Sequence, residues 1–122
     1  MNEQQQKFEL YLEEQIAACE QRRALLIADD RTDEGNFEKV RANVYGIFKT
    51  ILCAAQQACG KDDFAKKRFF LQKAEQIPAS WITSYEKAEQ HGDVEKMHLE
   101  RIKLDTVREI KDMYMQIWEE PT

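Results

Sequence analysis

Breakers of regular structure are scarce in this sequence. It has two prolines and four glycines, and the glycines stand alone at positions 35, 46, 60 and 92. Isolated glycines make no phosphate-cradling loop, which needs several of them within a few residues. There are two histidines, His91 and His98, and three cysteines. An odd number of cysteines at irregular spacing, with no CxxC pair, gives neither a disulfide framework nor a zinc set. No GxSxG or HExxH string occurs. No apolar run approaches the ~18 residues of a membrane span. The polar start MNEQQQKFE does not read as a signal peptide. A cytoplasmic protein with no membrane partner is expected. A strong charge of one sign is also missing: 18 Lys and Arg stand against 23 Asp and Glu, for a net charge of −5. That balance argues against non-specific nucleic-acid binding.

What is present is helix-forming. Hydrophobic residues make up 43% and charged residues 34% of the 122 positions, and Glu, Lys, Gln, Ala and Leu are plentiful. With so few breakers this favours an all-α chain, and the length suits one domain, residues 1–122, around one modest core.

The most regular stretch runs from Asp33 to Cys59. Phe37, Val40, Val44, Ile47, Phe48, Ile51, Ala55 and Ala58 recur at three- and four-residue steps. At about 100° per residue they share one side of a helix. Gly46 and Cys53 fall on the far side, so Cys53 is expected to be exposed, whereas Cys19 and Cys59 read as small buried hydrophobes. Gly60 stops this helix. Before it, residues 3–28 form a first helix striped by Phe8, Tyr11, Leu12, Ile16, Cys19 and Leu26. Gln15 and Arg22 interrupt that stripe, and Leu10, Ala17, Ala24 and Ala28 offer a second, smaller contact. The short link between the two predicts an antiparallel hairpin, with Thr32 or Asp33 as N-cap.

After Gly60, Asp62 is placed to cap a third helix ending near Ile77, with Phe64, Phe70, Leu71, Ala74 and Ile77 on its apolar side. Pro78 demands a break or kink. A fourth helix, 79–91, carries Trp81, Ile82, Tyr85 and Ala88. Gly92 and Asp93 then read as the C′ of one helix and the N-cap of the next. The last helix, 93–119, is apolar on two sides: Leu99, Ile102, Thr106, Ile110, Met113 and Ile117 on one, Met97, Leu104, Val107, Tyr114 and Trp118 on the other.

Candidate chemistry fails on spacing. The window from Asp30 to Arg41 begins like a calcium loop, with Asp30, Glu34 and Gly35 at the first, fifth and sixth places. The twelfth place, which needs a bidentate glutamate, holds Arg41. Glu95 and His98 form a Glu-x-x-His step, but a di-iron carboxylate bundle needs that step twice. Lys61, Lys66, Lys67 and Arg68 beside Phe69 and Phe70 look like a nucleic-acid patch, yet no binding motif accompanies them. YEKAEQHGD has the flavour of a tetratricopeptide repeat without its 34-residue period. A Cys53–His dyad has no supporting pattern.

The expectation is an all-α up-and-down helical bundle of three long helices, 3–28, 33–59 and 93–119, plus a broken helical segment at 61–91. No cofactor, metal or catalytic residue is implied. The function expected is that of a non-enzymatic helical interaction protein. It pairs with itself as a homodimer, or with another helical protein, through a strip left uncovered on the last helix: Val107, Tyr114, Met115 and Trp118. The alternative is a small-molecule-binding or sensing bundle whose pocket is lined by Tyr45, Trp81, Tyr85 and Trp118.

Overall fold

The computed structural model of the chain describes residues 3–119. Five helices follow one another: α1 Glu3–Ala28, α2 Thr32–Cys59, α3 Asp63–Gln76, α4 Ala79–Gln90 and α5 Val94–Glu119. The expected all-α bundle is what is found. Ile77 and Pro78 both keep right-handed helical backbone angles. Ile82 N–H still donates to the Pro78 carbonyl at 3.0 Å. α3 and α4 are therefore one helix interrupted by proline, which has no N–H for the Ala74 carbonyl four residues back. The chain runs up, down, up and down, with its third helix broken.

Each reversal has a local cause. At the first, Arg31 N–H donates to Leu26 and Asp30 N–H to Ile27, while Asp30 takes φ 61°. This is a Schellman turn with aspartate in the place usual for glycine. Neither Thr32 nor Asp33 caps α2, as the spacing suggested; Arg31 holds the cap position, and no side chain satisfies the first turn. Gly35 has a packing role instead. A Cβ there would meet Ile27 Cγ1 at 3.0 Å, so glycine lets α1 and α2 close on one another at the turn. Asp62 does cap α3, accepting from Ala65 N–H at 3.0 Å. Gly92, at φ 69°, and Asp93, accepting from Lys96 N–H at 3.1 Å, also stand as expected.

The core is aromatic and lies toward one end. Phe8 of α1, Phe48 of α2, Phe70 of α3 and Tyr114 of α5 are fully buried. Phe70 stacks on Tyr114 at 4.0 Å between centroids, and Phe8 meets both edge-on at 5.3 and 5.0 Å. Burying each such ring contributes about 1.5–3 kcal/mol, and the edge-to-face geometry adds to that. Val44, Phe48, Ile51 and Ala55 of α2 are buried as its stripe required, Leu52 is buried beside them, and Cys53 is exposed. Phe37 is half-buried, edge-on to His98 at 4.6 Å, and Ile47 and Ala58 are exposed. The buried face is thus turned toward Tyr45 and Leu52. Cys19 is buried, whereas Cys59 is only partly so because it ends its helix. Leu10, Ala17, Ala24 and Ala28 face outward, so α1 makes no second contact along that line.

Candidate interaction surface

Both apolar sides of α5 are covered within the chain. Val107 is 4% and Tyr114 1% exposed, while Met115 and Trp118 are partly buried against the same core. Val107 and Tyr114, expected to be left open, are therefore closed, which corrects the sequence reading, and Met115 and Trp118 stay half-exposed. The reason is α3. The turn at Gly60 brings α3 back along α2, Phe70 stacks on Tyr114, and α3 fills the place that a second copy was expected to take.

The four aromatics of the alternative pocket do not converge either. The Tyr45 ring meets Tyr11, Trp81 lies under Lys103, Tyr85 under Arg101, and Trp118 leans on Tyr114. Each has its own partner, and they are spread along the bundle.

Several polar groups of the bundle are tied to one another. Tyr11 and Tyr45 each donate to Glu109, at 2.9 and 2.8 Å, clamping α1 and α2 to α5. Burial first, then the hydrogen bond to this carboxylate, pushes both phenols well above their usual range. Burial also raises Tyr114. Lys66 is buried and donates to Gln5 and Gln56, both at 3.1 Å, with Asp63 at the same distance. Glu38 is buried between Arg22, at 3.2 Å, and Arg41. Arg22, which interrupts the α1 stripe, thus has a structural partner. Burial, then the Glu38 charge, raises the Cys19 thiol against the opposing pull of Arg22.

These networks join helices to one another. Among the described residues, no three His, Cys, Asp or Glu side chains gather as a metal set would. The calcium-like window is helix from Thr32 onward. Glu95 and His98 are exposed. Among the described residues, no helix is long and apolar enough to cross a membrane.

Exposed apolar side chains stand on several helices, among them Leu10, Leu25 and Ile27 of α1, Ile47 of α2 and Val94 of α5; those of α3 and α4 border a groove. Phe64, placed on the buried side by its spacing, is 72% exposed. Residues 64, 68, 71, 75, 78 and 82 fall within about 40° of one line on a continuous helix. They are Phe64, Arg68, Leu71, Glu75, Pro78 and Ile82, of which Leu71 is half-buried and Pro78 buried. Toward the proline, this line becomes one wall of a groove of about 470 Å³ whose other wall is Leu104, Val107, Arg108, Lys111 and Asp112 of α5. Glu75 borders both this groove and the shallower hollow around Phe64 and Leu71. Lys67 and Arg68 flank Phe64, and neither meets a carboxylate among the described residues; Arg68 lies over the Phe64 ring at 5.6 Å.

The sequence held a signal for this surface. Phe64, Leu71 and Pro78 are seven apart, as are Arg68, Glu75 and Ile82, which is the spacing of a helix seam. Treating Pro78 as the end of one helix and the start of another hides that repeat.

Comparison with known proteins finds no family model that matches the chain, no curated protein similar to it and no similar solved structure.

Proposed function

We propose that this chain is a non-enzymatic helical interaction protein that associates with a second copy of itself, using the outer face of α3 and α4. The observation that carries this reading is Phe64, an aromatic ring 72% exposed on a line that runs past half-buried Leu71 and buried Pro78 to Ile82, itself 47% exposed. Leaving a phenyl ring in water forfeits about 1.5–3 kcal/mol that burial would return. Isolated apolar residues on a surface need no explanation, but an aligned set bordered by polar residues marks an interaction site. Aromatic residues and arginine are enriched at the centres of protein interfaces, and both occur here.

Sedimentation at micromolar concentration tests the reading. A dimer mass is expected, shifting toward monomer in Phe64→Ser with helicity unchanged. A monomer mass at every concentration up to about a hundred micromolar, which corresponds to binding weaker than about −5.5 kcal/mol, would rule self-association out.

A further inference from the structure

We infer that two copies pair antiparallel about a two-fold axis at Leu71, each placing its Phe64 in the groove beside the other's Pro78. This rests on the self-association proposed above and adds the register. A two-fold interface must be self-complementary, with every projection matched by a recess on the same face. The α3–α4 face carries both. Phe64 projects, and the groove bounded by Ala74, Pro78, Ile82, Leu104 and Val107 recedes. They share the border residue Glu75, so they belong to one surface. They are 14 residues apart by their numbers, or about 21 Å along the helix.

With the axis at Leu71, residue 64 faces residue 78 of the copy, residue 67 faces residue 75, and Leu71 faces Leu71. Both rings then enter both grooves at once. A parallel pair would instead set Phe64 on Phe64 and leave the grooves empty. It would also bring Lys67 and Arg68 against their own copies.

Charge favours the antiparallel register as well. Lys67 and Arg68 arrive beside Glu75 and Asp112 of the groove rim. Lys111 already binds Glu75 at 3.1 Å, which leaves Asp112 as the natural counter-ion. Arg108 on the same rim is a like charge, but it is exposed and free to turn toward water.

Disulfide trapping in the full-length chain tests the register. Cys53→Ser and Cys59→Ser remove the accessible native thiols, and Leu71→Cys or Lys67→Cys is then added singly, so that Phe64 stays in place. Disulfides form only where Cα atoms lie about 4.4–6.8 Å apart. The antiparallel pair brings residue 71 against itself and holds the two copies of residue 67 about 12 Å apart along the helix. Mild oxidation is expected to give a covalent dimer with Leu71→Cys, to give none with Lys67→Cys, and to leave helicity unchanged in both. Linkage at both positions means a parallel pair and overturns the register. A dimer mass by sedimentation without linkage at 71 overturns it too, while leaving self-association standing on another face. A monomer mass for the unsubstituted chain overturns both.

Discussion

The two ends of this bundle are built from helices of similar length and differ in what those helices enclose. At one end the first half of α1, the second halves of α2 and α5, and all of α3 close around Phe8, Phe48, Phe70 and Tyr114. At the other end α4 packs on α5, with Ala88 its buried residue. There Glu38 is buried beside Arg22 and Arg41, and the rings Phe37 and Trp81 are only half-buried. Val94, at the start of α5, is 73% exposed. Helix length alone therefore does not set local stability. The aromatic end gains from area removed from water, whereas the other relies on partly exposed ion pairs, which contribute about 0–1 kcal/mol each.

The sharpest way to break this contrast is to truncate one ring at each end. Phe48→Ala empties a fully buried site and is expected to cost about 3–5 kcal/mol. Trp81→Ala removes a half-buried ring from α4 and is expected to cost about 1–2 kcal/mol. Urea unfolding measures both. Equal losses would mean that α4 is as firmly held as the aromatic core, and the contrast would fail.

The clamp of Tyr11 and Tyr45 on Glu109 offers a second test. Tyr45→Phe is expected to cost about 0.5–1.5 kcal/mol, the usual net worth of one hydrogen bond. The same clamp sets an alkaline limit. Because folding raises both phenols above their ordinary value, their contribution is fully present below about pH 10 and is lost as the pH climbs beyond it. Melting temperature is expected to hold up to about that pH and then fall, less steeply in Tyr45→Phe. An unchanged slope in the variant would take Tyr45 out of the account.

The smallest effect concerns the turn at the weaker end. Asp30 holds a left-handed conformation that glycine adopts without strain. Asp30→Gly is expected to raise stability by up to about 1 kcal/mol, seen as a higher urea midpoint with an unchanged slope. A loss would show that the Asp30 side chain supports the turn in a way its backbone angle does not reveal.

Much of this architecture is determined by sequence alone, for local reasons. Helix limits follow from Gly60, Gly92 and the caps Asp62 and Asp93, since each satisfies or ends a backbone ladder within a few residues. The buried set on α2 follows from its periodicity, to within one shift of the face toward Tyr45 and Leu52. What only the tertiary structure decided is which apolar face meets which neighbour. Phe64 and Phe70 stand six residues apart on one helix, and nothing local says that Phe70 alone enters the core. Likewise, Tyr114 is closed off because α3 folds back along α2 and stacks Phe70 on it, while Val107 lies beside α4, which continues past Pro78 along α5. Periodicity assigns a residue to a side of its own helix. Which side is covered depends on how helices distant in sequence pack, and that is settled by summed burial over the whole molecule.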